Sequence, residues 1–287
     1  MPPIIADDPI IFTCVLEARR ETVDFLSRLL HQRRRLIGTR SGTRALGPFK
    51  QAVLALRWFL DNTRVRQLAA DNAISTSTAY DYLHEAIDVL AALAPCVHDA
   101  LLAAKAAGAT HLNLDGTLIH TDRVAMRGPN GADLWWSGKH KDHGGNIQVL
   151  SYPDGFPCWV SDVRPGREHD TTCAKKAEDL LPALEFYEAE YWIPTLTDLG
   201  YVSVSPAIRH PYKKPKGGEL TEQQLTYNKV IRGVHGVAER ANALLKETFA
   251  ALQLVSLSPT RIGAITKAAL VLLHLEHDRP IPGGYTA

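Results

Sequence analysis

Cysteine is scarce in this chain, and its spacing excludes two kinds of small, cross-linked domain. The 287 residues include four cysteines, Cys14, Cys96, Cys158 and Cys173, and no two of them form a closely spaced pair. Disulfide frameworks and zinc ribbons both need such pairs. We therefore expect neither of them, and we expect a reduced, cytoplasmic environment.

Long apolar runs are also missing. A membrane-spanning helix needs about 18 or more consecutive apolar residues, and no segment of the chain approaches this length. The first residues lack the basic and apolar regions of a signal peptide. With 45% hydrophobic and 22% charged residues, the composition is typical of a soluble globular protein, and no membrane partner is expected.

The chain has no large excess of charge, because 32 basic residues stand against 31 acidic ones and the net charge is +1. The total charge therefore does not indicate a nucleic-acid partner, and the local distribution has to be considered. Residues 19–66 contain twelve basic residues and only three acidic ones. Clustered arginine suits phosphate, because its planar group donates two hydrogen bonds at once. The candidate phosphate contacts are Arg33, Arg34, Arg35, Arg64 and Arg66, and the alternative is a solvated helix face.

Residues 63–91 are typical of a helix-turn-helix. A short helical segment is followed by a turn at residues 72–73 and by Ser75, which is a favourable N-cap for a second helix. In this motif the second helix enters the major groove of double-stranded DNA by its N-terminal end. The residues predicted to face DNA are Thr76, Ser77 and Tyr80. A plain helical hairpin is the alternative.

The periodicity changes from helical to strand-like near residue 108. We therefore predict an all-α DNA-binding region over residues 1–107 and a catalytic domain over residues 108–287. The alternation of apolar and polar residues predicts strands at 110–119, 146–152, 156–163 and 191–197, and a helix at 169–181 that ends before Pro182. A hairpin followed by alternating helix and strand indicates the α/β class, with a mixed sheet and flanking helices.

Three acidic residues that lie far apart in sequence are the candidate catalytic and metal-binding residues. Asp115 and Asp198 end two predicted strands, and Glu239 lies in a helical stretch over residues 232–246. Two carboxylates at strand ends and one on a helix suit two Mg²⁺ ions, which prefer oxygen ligands. The alternatives are turn chemistry for Asp115–Gly116 and a solvated charged face for the helix.

The predicted glutamate helix has two different sides. At about 3.6 residues per turn, Val237, Ala241 and Leu245 fall on one side and are expected to pack. Glu239 and Lys246 fall on the opposite side with Arg232, where a carboxylate can reach metals and a cation can reach phosphates.

Five segments in this order resemble the DDE transposases of bacterial insertion sequences. They cover residues 114–117, 136–148, 165–170, 197–201 and 237–246, and the resemblance as a whole runs from about residue 40 to residue 278. Two positions depart from the usual pattern. Leu199 stands where many relatives have a basic residue, and His235 stands where the glutamate helix often has arginine.

The resemblance implies an RNase H-like fold and a DNA transposase. Its activity would be metal-dependent endonucleolytic cleavage at transposon ends, followed by strand transfer into target DNA. Asp115, Asp198 and Glu239 would hold two Mg²⁺ ions, with Mn²⁺ as the expected substitute. The partners would be double-stranded DNA and further copies of the chain, in a homodimer or larger assembly, located in a bacterial cytoplasm at the nucleoid.

Further basic residues are candidate DNA contacts. They are Lys139, His140, Lys141, His143, Lys213, Lys214 and Lys246. A transition-metal site at His140 and His143 is the less favoured interpretation, because a third ligand of the usual kind is missing. His169 and Asp170 could be a pair that supports the metal ligands, or Asp170 could cap the following helix, and we favour the cap.

Two other functions share most of these features. A domesticated or inactive transposase would bind DNA without cutting it, and Leu199 and His235 favour this alternative weakly. A metal-dependent nuclease without a joining step would use the same three acidic residues. Only the reaction products separate the second alternative from a transposase.

Overall fold

The structure is a computed structural model that describes residues 15–128 and 131–283, so Cys14 lies outside the described residues. The chain begins with five helices, for which local signals in the sequence set the ends. They are α1 (Arg20–Leu36), α2 (Pro48–Asp61), α3 (Val65–Asp71), α4 (Thr76–Ala91) and α5 (Val97–Ala106).

Capping explains where several of these helices begin and end. Helix α2 starts with Pro48 at its first position, where the missing N–H is not needed, and it ends at Asn62 in the left-handed conformation. The Ser75 hydroxyl accepts a hydrogen bond of 3.1 Å from the Thr78 amide and caps α4, as predicted. Helices α3 and α4 are thus joined by a tight turn. The interpretation of this pair as a DNA-binding helix-turn-helix stays a prediction.

A mixed β-sheet follows. Its strands are β1 (Leu112–His120), β2 (Trp136–Ser137), β3 (Asp142–Ser151), β4 (Pro157–Val160), β5 (Arg164–Pro165), β6 (Thr195–Leu196) and β7 (Ile208–Arg209). Strand β3 lies antiparallel between β1 and β4, and β6 and β7 continue the sheet from β1 in parallel. The short strands β2 and β5 pair with the beginning of β3.

Helices cover both faces of this sheet. They are α6 (Asp170–Lys176), α7 (Leu180–Tyr191), α8 (Glu222–His235), α9 (Ala238–Thr248) and α10 (Ile262–Glu276). One apolar core joins β1 and β3 to α9, α10 and the helices α1 to α4, and a second core packs α5 and α7 on the other face. The predicted mixed α/β class is confirmed, and the arrangement is consistent with an RNase H-like fold.

The predicted domain boundary near residue 108 stays a prediction. The first core is continuous from the N-terminal helices to the sheet, and α10 packs against α4. Helix α5 precedes the predicted boundary and belongs to the second core, with Leu101 and Ala104 buried. Within the part of the chain that the structure describes, no helix is both long enough and apolar enough to cross a bilayer.

Two sequence predictions about this half of the chain were wrong. The helix predicted at 169–181 is divided into α6 and α7, and Pro182 lies in the first turn of α7. Proline is tolerated there because the first N–H groups of a helix have no partner within it. Of the strand predicted at 191–197 only Thr195–Leu196 forms, because α7 extends to Tyr191 and Trp192 adopts a left-handed conformation.

The glutamate helix was also predicted wrongly as one continuous stretch. Helix α8 ends at His235, Gly236 is its C-cap, and α9 begins at Ala238. Glu239 is therefore the second residue of a new helix, where the N-terminal end of the helix dipole favours a negative charge. The continuous helix that was predicted to place Arg232 and Lys246 on one side does not form.

Candidate active site

Asp115 does not end its strand, as was predicted, but lies inside the long strand β1, which continues to His120. The alternative of a turn at Asp115–Gly116 is therefore excluded. Its Cα is paired with that of Val149 on β3. One carboxylate oxygen accepts a hydrogen bond of 2.9 Å from the Gly116 amide, and the other accepts one of 2.8 Å from Nδ2 of Asn242 on α9. The carboxylate therefore points to the helix that carries Glu239.

Asp198 lies beside Asp115 because their strands are parallel neighbours. Asn113 on β1 is paired with Leu196 on β6, and each aspartate comes two residues later in its chain segment. Asp198 Oδ1 accepts a hydrogen bond of 2.8 Å from the Gly200 amide and caps a short 3-10 turn at residues 199–201. The sheet thus brings together two carboxylates that are 83 positions apart in sequence.

The carboxylates of Asp115 and Asp198 repel each other. Burial and, after it, the negative charge of Asp198 raise the pKa of Asp115 to about 6. Like charges in a partly desolvated site disfavour a second ionised carboxylate. A bound cation would relieve this repulsion.

Glu239 faces the same region from α9. Glu239, Asp198 and His235 line one cavity of about 330 Å³, together with Arg232. Glu239 itself is exposed, whereas burial lowers the pKa of His235 against the opposing effect of the two carboxylates. His235 Nδ1 is buried and has no hydrogen-bond partner among the described residues.

A directional chain of hydrogen bonds runs behind these residues. The Tyr201 hydroxyl donates to Gln148 Oε1 (2.6 Å), Gln148 Nε2 donates to Asn146 Oδ1 (2.8 Å), and Asn146 Nδ2 donates to Asp170 Oδ1 (2.7 Å). The other oxygen of Asp170 accepts a bond of 2.9 Å from Lys139 Nζ. Asp170 is thus the last acceptor of this chain, and both of its carboxylate oxygens are engaged.

Gly116 provides the space for this chain. Successive residues of a strand point to opposite faces, so Gly116 faces away from the side that Asp115 faces. A Cβ atom at Gly116 would lie 2.3 Å from Asp170 Oδ1 and 2.9 Å from Gln148 Nε2. The interpretation of Asp170 as a helix cap was wrong, because its carboxylate is directed at Asn146 and Lys139 instead.

The three acidic residues form an incomplete ligand set by themselves. Among residues 15–128 and 131–283, no three acidic, histidine or cysteine side chains lie close enough together to hold a metal ion. Mg²⁺ is usually bound by one or two carboxylates and by phosphate oxygens of the substrate. Asp115 and Asp198 fit that description, with Glu239 across the cavity.

Comparison with known proteins decides the family. A model of the DDE superfamily endonucleases matches residues 114–274, which is more than half of the chain. The chain belongs to the DDE superfamily of endonucleases. No curated protein and no solved structure matches it significantly.

In this DDE endonuclease, the basic residues predicted around β2 and β3 differ in their surroundings. Lys139 is held by Asp170, and His143 is largely buried against Asp133 and the Trp136 ring. His140 and Lys141 are exposed. His143 is therefore already engaged within the protein.

The remaining predicted DNA contacts differ in their exposure to solvent. Lys246 Nζ donates a hydrogen bond of 3.0 Å to the Leu118 carbonyl and is half-buried, whereas Lys213 and Lys214 are exposed. In the N-terminal helices, Arg34 is half-buried and the other predicted contacts are exposed. These are Arg33, Arg35, Arg64, Arg66, Thr76, Ser77 and Tyr80.

Sequence reasoning missed several residues of the DDE site. Asn242 contacts Asp115 directly, and Gln148 is linked to the site through Tyr201. Neither residue was singled out from the sequence. Asn242 stands three residues after Glu239 and so lies on the same face of α9, which is the one signal that could have identified it. Gln148 and Tyr201 carried no such signal, because only the folded sheet brings them together.

Proposed function

We propose that this DDE endonuclease is a DNA transposase, which cuts DNA at transposon ends and joins the freed strand to target DNA. The observation that carries the proposal is the register of β1 and β6. It sets Asp115 and Asp198 side by side, and Asn242 ties Asp115 to the helix that bears Glu239. Two neighbouring carboxylates and a third across a cavity suit phosphodiester chemistry.

Two Mg²⁺ ions, or Mn²⁺ in their place, would be held by Asp115, Asp198 and Glu239. When bound, such ions stabilise negative charge on the attacking and leaving oxygens of a phosphodiester. The raised pKa of Asp115 supports this assignment, because the burial and crowding that cause it are offset by cations.

The protein's own groups contribute position and charge. Asn242 and the Gly116 amide fix both oxygens of Asp115, and the Gly200 amide fixes one oxygen of Asp198. Lys139 is held at the edge of the site by Asp170 and presents a positive charge for a DNA phosphate. Positioning and neutralisation supply most of the catalysis in phosphoryl transfer, so no covalent protein intermediate is required.

DNA binding is assigned to the N-terminal region, residues 1–107. Helix α4 would enter the major groove by the end that carries Thr76, Ser77 and Tyr80, which are exposed. The arginines that would contact phosphates are Arg33, Arg34, Arg35, Arg64 and Arg66. The joining of two transposon ends implies at least two copies of the chain on DNA, in a homodimer or larger assembly.

The test compares the wild-type protein with Asp198→Asn on DNA that carries the gene's own flanking sequences, in Mg²⁺ and separately in Mn²⁺. We expect the wild type to cut at the flanks and to form joined products, and the variant to bind the same DNA without cutting. Cutting without joined products would favour a nuclease. Binding by the wild type without cutting in either metal would favour a DNA-binding protein, and cutting by the variant would remove Asp198 from the site.

A further inference from the structure

A second polar cavity lies away from the carboxylates, between the C-terminal end of α1 and the N-terminal end of α2. Its volume is about 350 Å³, and we call it the arginine cleft. Arg34, Arg35, Arg40 and Arg44 are among the residues that line it. The cleft thus brings together four arginine residues from one short stretch of chain.

One carboxylate lies beside these groups, and it is already engaged. Both oxygens of Glu85, on α4, accept hydrogen bonds from Arg44, at 3.0 and 3.1 Å. Glu85 also accepts a bond of 2.9 Å from Gln51, whose amide nitrogen reaches the Tyr82 carbonyl as well. Arg44 is therefore neutralised by a bidentate pair and fixed in place.

Arg34 has no such partner. Its Nη2 donates to the neutral side-chain oxygen of Gln51, and its Nε is buried without a hydrogen-bond partner. Burial, followed by repulsion from Arg44, lowers the pKa of Arg34. Among the described residues, no carboxylate forms an ion pair with Arg34, Arg35 or Arg40. The negative charge of Glu85 offsets the effects of burial and of Arg44 only in part, and a half-buried charge without an ion-pair partner of its own is costly. An anionic ligand in the cleft would reduce this cost.

The backbone at the N-terminal end of α2 adds to the positive electrostatic potential of the cleft. Gly47 and Pro48 at the start of α2 also line the cleft, and this helix of 14 residues has neither a side-chain cap nor an acidic residue in its first turn. The N-terminal end of a helix carries a partial positive charge and free N–H groups. The guanidinium groups and the N-terminal end of α2 therefore both favour a negatively charged ligand.

We propose that the arginine cleft binds a phosphate group, and that its source is the sugar–phosphate backbone of DNA. Arg34 and Arg44 would form its floor, and Arg35 and Arg40 its rim. Phosphate fits this role because arginine forks donate paired hydrogen bonds to its oxygens. No side chain of the carboxylate site takes part.

The position of the cleft beside Glu85 of α4 favours the DNA backbone over a free phosphate compound. Glu85, beside the cleft, comes nine residues after Thr76 at the DNA-facing end of α4. At 1.5 Å per residue this is about 13 Å along the helix axis. The major groove is about 12 Å wide, so a helix end in the groove would leave the cleft near a flanking phosphate. This step rests on the proposed function of α4.

The first experiment measures DNA affinity against salt concentration for the wild type, Arg35→Ala and Arg40→Ala, with Arg28→Ala as the matched control. Arg28 is an exposed arginine of α1, the helix that carries Arg35, and it does not line the cleft. Loss of one phosphate contact reduces the slope of log affinity against log salt by about 0.9. We expect that reduction in the two cleft variants and an unchanged slope in the control. Equal slopes in all four proteins would overturn the DNA source.

The second experiment needs neither DNA nor cleavage, so its failure is distinct from failure of the proposed function. Inorganic phosphate is titrated at constant ionic strength while Tm is recorded. At phosphate about tenfold above its Kd, we expect Tm to rise by about 3 °C in the wild type and Arg28→Ala, and not in Arg34→Gln or Arg40→Ala. No rise in the wild type would overturn the site. If phosphate or adenosine monophosphate raised Tm while the salt slopes of DNA binding were the same in all variants, the phosphate site would stand. The DNA backbone would then be ruled out as the source of the phosphate group.

Discussion

The side chain of Asn242 donates a hydrogen bond of 2.8 Å to Asp115 and so joins helix α9 to strand β1. Glu239 lies one helical turn before Asn242 on the same face of α9. Asn242 therefore helps to set the position of the third carboxylate relative to the first, together with the hydrogen bond from Lys246 on the same helix to the Leu118 carbonyl of β1. The Asn242 side-chain oxygen is buried without a partner, so this amide is held from one side only.

Replacement of Asn242 by leucine should lower the cleavage rate and leave DNA affinity intact. Leucine keeps the size of the side chain and removes the only side-chain hydrogen bond to Asp115 that the structure shows among its described residues. Loss of such a supporting contact typically costs 10- to 100-fold in metal affinity or activity. The measurement is the single-turnover cleavage rate across a Mg²⁺ titration.

The matched control for this experiment is Glu247→Gln, an exposed position on the same helix. It should cleave at the wild-type rate. We also expect Asn242→Asp to cleave poorly, because a further negative charge beside Asp115 raises the pKa of that carboxyl group. A wild-type rate in Asn242→Leu at low Mg²⁺ would show that Asp115 is positioned by the strand alone.

Replacement of Asp115 by asparagine should stabilise the protein at neutral pH in the absence of divalent metal. The pKa of Asp115 is about 6 in the folded protein, and an ordinary aspartate titrates near 3.9 when unfolded. Between these values the folded chain binds more protons, so its stability falls as pH rises towards 6. Asparagine removes this penalty, which we put at about 1–2 kcal/mol after allowing for a weakened hydrogen bond.

Urea unfolding at pH 8 and at pH 4, with a chelator present, checks this prediction. The gain in the free energy of unfolding should be present at pH 8 and largely lost at pH 4, where the carboxyl group of Asp115 is protonated in the folded chain and about half protonated in the unfolded chain. Addition of Mg²⁺ at pH 8 should then raise the stability of the wild type more than that of Asp115→Asn. A variant that is less stable than the wild type at both pH values would contradict the electrostatic account.

Gly116 should tolerate no side chain, for a reason that is not its backbone conformation. An added Cβ would lie 2.3 Å from the carboxylate of Asp170, which the hydrogen bonds from Asn146 and Lys139 hold in place. Gly116→Ala should therefore displace Asp170 and abolish cleavage. Gly138→Ala is the control, because Gly138 lies beside Lys139 and no atom would come within 4 Å of its Cβ. Equal activity in the two variants would mean that the Asp170 network is dispensable.

The sequence was sufficient for the parts of this site that depend on strand patterns and local motifs. Local rules predict a strand around Asp115, a helix cap at Ser75 and the mixed α/β class. The structure has all three features. The assignment of Asp115, Asp198 and Glu239 as a catalytic set stays a prediction, which the family match and the geometry support.

The parts that could not be predicted depend on long-range pairing. Asp170 had two local interpretations, and only its nearness to Asn146 across the sheet selects between them. The break between α8 and α9 was missed because the apolar spacing of the sequence continues through Gly236. The hydrogen bond from Tyr201 to Gln148 spans 53 residues, and no pattern along the chain marks it.

The direction of the hydrogen-bond chain gives a last prediction, at Asp170. An asparagine there has one acceptor oxygen for two donors, Asn146 Nδ2 and Lys139 Nζ, so its own NH₂ group must face one of them. Lys139 is the partner that can leave, since it is exposed while Asn146 is buried. In the wild type, although burial acts in the opposite direction, the hydrogen bond to Asp170 raises the pKa of Lys139. Without that bond, the positively charged Lys139 side chain would no longer be held in a fixed position.

Asp170→Asn should therefore slow cleavage at least tenfold while its DNA affinity stays near that of the wild type. Lys139→Gln should slow cleavage to a similar extent. If Asp170 acts by holding Lys139, the double variant should be no slower than either single variant, because coupled residues do not have additive effects. Additive losses would instead assign Asp170 a separate role at the sheet, through Asn146 and Gln148.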